Sequence, residues 1–300
     1  MRRMPSRNPL FLRAASLAFL TGCLAGCFAW NFEQRPRESS PLPEFLATPY
    51  RQPSGALSDV TLFCGAGHGW TADAEDTHPA DGDRGWWTQR PLTFGMVEDL
   101  GNLDQLEIFA ECAWRAGATV IPFRGIGAQP IEILLDNENP NVSFHGAWRV
   151  AREATLYYGP LAAREPCRIA ETAPRETATA RFAPSFPEAG FYPVYVWADY
   201  GPDHVRQLYR VAHSGGVAET RVNHRRAGRG WIWIGMYHFE AGRSGYVEIS
   251  NEAADGEAGV VVADAVRFGV GMGDIDRGAG VSGHMRGEEA SLYWIENMAG

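Results

Sequence analysis

The sequence predicts two kinds of structure in succession: an α/β unit, then an antiparallel β-sandwich. Three observations carry that class. Residues 59–124 read as strand, loop, helix and strand. Residues 131–270 contain short strand-like runs and no helical period. The chain of 300 residues holds 34 glycines and 19 prolines, which favours many turns over long helices. At roughly 100–200 residues per domain, the length suits about two domains. A 45% apolar fraction supplies material for their cores.

All 27 basic residues are arginine, and lysine is absent. Schiff-base, pyridoxal-phosphate and P-loop chemistries need an ammonium group at the reacting centre. A guanidinium, which stays protonated, cannot replace it. The formal charge is −9, and it becomes −13 once Arg2, Arg3, Arg7 and Arg13 are set aside with the segment that carries them. No nucleic-acid partner is expected from such a balance.

Residues 1–13 are basic without an acid, and 14–20 form a short run of apolar and small residues. That is an export signal, too short for a membrane span of about 20 residues. Leu24-Ala25-Gly26-Cys27 resembles the lipobox of bacterial lipoproteins, in which the cysteine is lipidated. Leu20-Thr21-Gly22-Cys23 fits the same pattern, and Cys27 is preferred over Cys23 for its longer apolar run. The resemblance implies residues 1–27 as signal, a lipid anchor as membrane partner, and an exported protein of the cell envelope, periplasmic or outer-membrane associated. Residues 28–57, with five prolines and no apolar period, read as an extended tether. Cys64, Cys112 and Cys167 are an odd number with no close pair, so neither a full disulfide framework nor a cysteine zinc site is expected.

In the α/β unit, expected over 58–130, the apolar run 59–64 ends in Gly65-Ala66-Gly67-His68-Gly69, which places His68 at the carboxyl edge of a buried strand. Residues 96–114 have helical spacing with acids at the start, 115–118 close the helix, and 119–124 form the next strand. Gly67-His68-Gly69, Glu98-Asp99-Leu100, Ala116-Gly117-Ala118-Thr119-Val120 and Arg124 together resemble the zinc-dependent N-acetylmuramoyl-L-alanine amidases. The resemblance implies Zn2+ held by His68 and Glu98, with peptidoglycan as substrate. Read as single residues, His68 is a strand-end histidine bonded to backbone and Glu98 a helix-start acid. The acidic loop 73–83 is read as a solvated charged loop, since its spacing does not fit an EF-hand.

Residues 131–270 are expected to be a β-sandwich inserted after the strand–helix–strand unit. Its strand-like runs are 132–135, 182–186, 192–197, 207–212, 219–222, 231–239, 245–249 and 259–268. Alternation in Trp231-Ile232-Trp233-Ile234 sends both tryptophans to one face and both isoleucines to the other. Residues 190–197, 211–216, 222–224, 230–235 and 261–268 resemble the carbohydrate-binding-like domain of golvesin and xanthan-lyase-type proteins. Trp197, Trp231 and Trp233 are glycan-stacking candidates if exposed and core residues if not. Asp264 and Arg267 suggest a buried ion pair. His213, His224 and His238 sit on separate strands with no sign of a metal cluster. The arginines at 221, 225, 226 and 229 meet either an anionic polymer or solvent.

Residues 271–300 read as a return linker and a helix of the α/β unit, whose sheet is expected to resume after residue 300. The second histidine ligand and the general-base glutamate that the amidase resemblance implies are expected there, which makes this chain incomplete for amide hydrolysis. The alternative is a non-catalytic envelope lipoprotein that binds polysaccharide through the sandwich. A polysaccharide-lyase-associated protein is the third reading.

Overall fold

The computed structural model describes residues 51–65, 70–72, 86–88, 99–123, 125–127, 129, 131–152, 157–158, 166–253 and 256–269. In chain order the strands are β1 (Thr61–Cys64), β2 (Trp70–Ala72), β3 (Trp86–Thr88), β4 (Thr119–Pro122), β5 (Glu132–Asp136), β6 (Val142–His145), β7 (Arg149–Val150) and β8 (Arg168–Glu171). They continue with β9 (Thr179–Phe182), β10 (Gly190–Trp197), β11 (Arg206–His213), β12 (Gly216–Asn223), β13 (Ile232–Phe239), β14 (Tyr246–Ser250), β15 (Val260–Ala263) and β16 (Ala265–Gly269). One helix among the described residues, α1 (Asp99–Arg115), lies between β3 and β4.

The strands form a six-stranded sheet ordered β1-β4-β13-β10-β16-β5 and a five-stranded sheet ordered β12-β11-β14-β9-β6. A three-stranded ladder β15-β8-β7 and the pair β2-β3 complete them. The antiparallel sandwich expected over 131–270 is present. The α/β unit is not a sheet apart: β1 and β4 pair in parallel, and β4 joins β13 through the single pair Trp233↔Val120. The sheet therefore crosses the expected boundary at residue 130.

The six-stranded sheet is covered on both faces. Between the two large sheets lie Phe182, Phe186, Tyr192, Val194, Phe239 and Phe268, with Phe186 stacked on Phe239 at 4.3 Å. On the other face Trp197, Trp231, Trp233 and Tyr195 pack with Leu106, Ala110, Ala113 and Trp114 of α1. Those four helix positions follow the i, i+4, i+7, i+8 spacing of one buried stripe. Trp114 meets Trp233 edge-on at 6.4 Å. The helix ends where the sequence places its end. Gly117 takes φ +95°, and the Ala118 and Gly117 N–H groups reach back to the Ala113 and Trp114 carbonyls at 3.0 and 2.9 Å, a Schellman cap.

Alternation holds along β13 only as far as Ile234. The register steps from Val194↔Gly235 to Tyr195↔Trp233, so one residue of β13 is extra and the faces exchange. Ile232 and Ile234 face the inter-sheet core, as do Tyr237 and Phe239 beyond the bulge, while Met236 joins the tryptophan layer. Gly235 carries the bulge at φ +137°, and a Cβ there would stand 2.6 Å from the Tyr237 hydroxyl oxygen.

Two expected strands differ. The run 182–186 is a strand only to Phe182, because Pro184 and Pro187 lack the N–H a ladder needs, and Phe186 makes an isolated bridge to Gly242. The run 259–268 is split at Asp264 into β15, paired with β8, and β16, paired with β10 and β5. Strands β6, β7 and β8 are short and lack an apolar alternation long enough to detect. Gly235→Ala is expected to lower stability by about 1–3 kcal/mol through backbone strain and the contact with Tyr237. A urea midpoint equal to that of the unsubstituted chain would refute this account of the bulge.

Candidate functional site

The end of the expected tether is built into the fold. Residues 51–58 form a strap across the sheet edge at β12 and the carboxyl end of α1. Gln52 N–H donates to the Glu219 carbonyl at 3.0 Å. The Gln52 Nε2 donates to the Trp114 and Ala118 carbonyls at 3.1 and 3.0 Å, and its Oε1 accepts from the Thr220 hydroxyl at 2.6 Å. Leu57 N–H donates to the Ala116 carbonyl at 2.9 Å. One side chain thus satisfies a terminal carbonyl of the helix and a hydroxyl of the edge strand.

Beside the strap is a pocket of about 490 Å³, within the usual range for small-ligand sites. Arg206, Leu208, Glu219, Arg221 and Asn223 come to it from β11 and β12, Asp59 and Thr61 from around β1, and Ser54 and Ser58 from the strap. The β11 and β12 residues meet there because Arg206, Leu208 and Arg210 pair with Asn223, Arg221 and Glu219, and cross-strand partners share a face.

Charge in this wall is densely paired. Arg206 holds Asp59, whose carboxyl lies below its ordinary value chiefly through that hydrogen bond. Burial pushes Glu219 up, but hydrogen bonds from Arg51 and Arg210 outweigh it and hold the carboxyl low. Arg210 also pairs with Glu176, Glu248 at 3.5 Å and Glu252 at 3.6 Å. The result is a polar concavity rich in N–H donors and carboxylate acceptors, able to exchange hydrogen bonds with a hydroxylated ligand.

Behind it runs a buried polar chain. Gln207 Nε2 donates to the Tyr209 hydroxyl at 2.7 Å, and Tyr209 Oη lies 2.8 Å from His224 Nε2. The Ala227 carbonyl, 2.8 Å from His224 Nδ1, can only accept. The imidazole is therefore neutral with its proton on Nδ1, and Nε2 accepts from Tyr209. Burial holds this histidine at about 4.

The sequence-derived candidates divide sharply. His68, Glu98, Arg124, Cys23 and Cys27 lie outside the described residues. The tryptophan platform is corrected: Trp197, Trp231 and Trp233 are 7%, 0% and 2% exposed. They fill the layer under α1, with Trp231 beneath the Arg267 guanidinium at 4.3 Å and beside Tyr158 at 5.0 Å. Their faces are spent on packing and offer nothing to a sugar. Arg267 finds a carboxylate on the adjacent strand, Glu132 at 2.8 Å, and Asp264 accepts the Tyr158 N–H at 3.1 Å. His224 is in the polar chain, while His238 meets the Ser214 hydroxyl at 2.8 Å beside His213. Among the described residues no three His, Cys, Asp or Glu side chains converge to hold a metal. The pocket is not legible along the chain, since its lining joins residues 51–61 to 117–119, 206–226 and Glu252, and the one local sign is the arginine run.

Residues 133–270 match the family model described as the Golvesin C-terminal domain. The xanthan lyase of Bacillus sp. (strain GL1) is 35% identical over 139 residues, which is 45% of this chain. The matched part amounts to only 14% of that lyase. Among solved structures, the Paenibacillus xanthan lyase aligns with a TM-score of 0.41 at 27% identity, covering 48% of this chain and 13% of that one. The CBM35 from Cellvibrio japonicus Abf62 aligns with a TM-score of 0.34 at 16% identity, covering 49% and 98% respectively. The resemblance drawn from motifs in the second half of the chain is thus matched over nearly the whole sandwich.

The His224 proton links stability to pH. Its folded value of about 4 lies below the ordinary 6.5, so the unfolded chain takes up the proton first. This contribution is complete above about pH 6.5 and decreases as pH falls towards 4, by roughly 3 kcal/mol in all. Denaturation midpoints at pH 7 and pH 4.5 should therefore differ less in His224→Gln than in the unsubstituted chain. Equal pH dependence in both would show that the imidazole is not the linked group.

Proposed function

We propose that this chain is an envelope polysaccharide-binding protein acting through its β-sandwich, with the pocket beside the strap as the seat for sugar. The carrying observation is the 35% identity of the sandwich to a segment of an enzyme named for its action on xanthan, a polysaccharide. The pocket adds chemical sense: with the tryptophans buried, recognition falls to hydrogen bonds from Asn223, Arg221 and the strap serines. A lipid on Cys27, with Cys23 as the alternative, anchors the protein to the membrane, and the mass of the mature amino terminus identifies which cysteine carries it. Native affinity electrophoresis against soluble polysaccharides, with co-sedimentation on peptidoglycan sacculi, tests the binding. Retention is expected, and Asn223→Ala should weaken it by about tenfold through loss of hydrogen bonds to the ligand. Absence of retention on every polymer sinks the reading.

A second reading is favoured by the arrangement of β1, α1 and β4. Two parallel strands joined through a helix form the unit at whose carboxyl edge α/β proteins build their sites. In the chain, His68 and Glu98 fall between the end of β1 at Cys64 and the start of α1 at Asp99. On this reading the unit belongs to a zinc enzyme that cleaves the N-acetylmuramoyl-L-alanine amide of peptidoglycan. An imidazole and a carboxylate suit Zn2+, which would supply carbonyl polarisation and an activated water. Three protein ligands are usual at such a centre and two are assigned here, so this chain is expected to bind zinc weakly and to leave peptidoglycan intact. Zinc titration by calorimetry, with His68→Ala and Glu98→Ala as controls, measures the first part. Vigorous peptidoglycan hydrolysis by this chain, abolished in His68→Ala, would overturn the second.

A further inference from the structure

The arginine run at 221–229 is sorted by the fold into three cations held by salt bridges and one that is not. Arg221 is held by Glu252 at 3.5 Å and by the Arg206 and Glu252 carbonyls. Arg225 pairs with Glu257 and donates to the His204 carbonyl at 2.8 Å. Arg229 pairs with Asp199 at 2.7 Å and lies over the Tyr200 ring at 4.6 Å. The guanidinium of Arg226 is exposed and lines the pocket; it acts on the Asp59 carboxylate through charge alone, and no hydrogen bond or salt bridge to another described residue holds it.

Its backbone is nonetheless fixed. The Arg226 and Ala227 N–H groups donate to the Asn223 carbonyl at 3.0 and 3.1 Å. The turn between them is pinned by fully buried His224, whose Nδ1 donates to the Ala227 carbonyl. A cation that no salt bridge to a described residue ties down, and that shares only Asp59 with Arg206, is thus presented from a rigid turn, a form of preorganisation that binding favours. The acids in the lining are already answered: Asp59 by Arg206, Glu219 by Arg51 and Arg210, and Glu252 by Arg210 and Arg221. Four arginines in the lining face those three acids, so the pocket is locally positive in a chain whose formal charge is −9.

We propose that the pocket takes a carboxylate-bearing sugar unit of an acidic polysaccharide, with Arg226 as the cation that receives the carboxylate. This rests on the polysaccharide-binding reading above and names its substrate class. A planar guanidinium offers two parallel N–H groups to a carboxylate, and Asn223 and the strap serines stand close by for ring hydroxyls.

The test uses the full chain with polygalacturonate and with the same polymer fully methyl-esterified, which keeps the sugar backbone and removes the charge. Polygalacturonate should be retained more strongly than the ester, less so as salt is raised. Arg226→Gln should reduce that retention by about tenfold, the scale of a lost charge-assisted contact. Arg225→Gln, whose charge is spent outside the pocket lining, should leave retention unchanged. Equal retention of both polymers, or of the acid polymer by Arg226→Gln and the unsubstituted chain, overturns the acidic-sugar proposal while leaving polysaccharide binding standing. Retention of neither polymer, nor of sacculi, removes the binding reading and this proposal together.

Discussion

Burial of both faces of the six-stranded sheet is the constraint on which the rest depends. Its central strands β10, β13 and β16 carry bulky side chains on two sides. One side is closed by the five-stranded sheet. The other, paved with Trp197, Trp231 and Trp233, needs a second apolar layer, and α1 supplies it with Leu106, Ala110, Ala113 and Trp114. A two-layer sandwich leaves such a face in water; the third layer removes it. At about 25 cal/mol per Å² of apolar area, three tryptophans alone make this a principal source of stability. The α/β segment is thereby part of the sandwich's own core.

That packing explains where the pocket is. Docking α1 on the tryptophan layer brings the helix's carboxyl end, the start of β1 and the edge of β12 close together. Each leaves polar backbone or side-chain groups to be satisfied. Gln52 satisfies several at once, and the strap it belongs to walls the concavity. The outer face of β11 and β12 then contributes its arginines and glutamates. Cross-strand pairing neutralises most of these where they stand, which is why the few uncompensated charges matter more than the total.

The buried His224 chain serves the same edge from within. Every group in it has a partner with matched donor and acceptor roles, which limits the cost of a polar interior and fixes the turn that follows β12. Core, turn and pocket rim are consequently one mechanical unit. The rim does not have to be ordered by a ligand.

Much of the architecture is legible along the chain because its causes are local. Period-two alternation marks Trp231-Ile232-Trp233-Ile234, a glycine at 117 marks the helix end, and turn residues separate the hairpins. Where sequence and structure part, the deciding cause is distant in the chain. Whether Trp231 faces sugar or core depended on α1, more than a hundred residues earlier. The exchange of faces beyond Ile234 depended on register against β10, and the fate of residues 51–58 on a helix end and an edge strand far along the chain. Arg221, Arg225, Arg226 and Arg229 are chemically identical in sequence. Only tertiary placement of Glu252, Glu257 and Asp199 distinguishes them, because a guanidinium's role is set by which carboxylate lies within reach, and that distance exists only after the chain has folded.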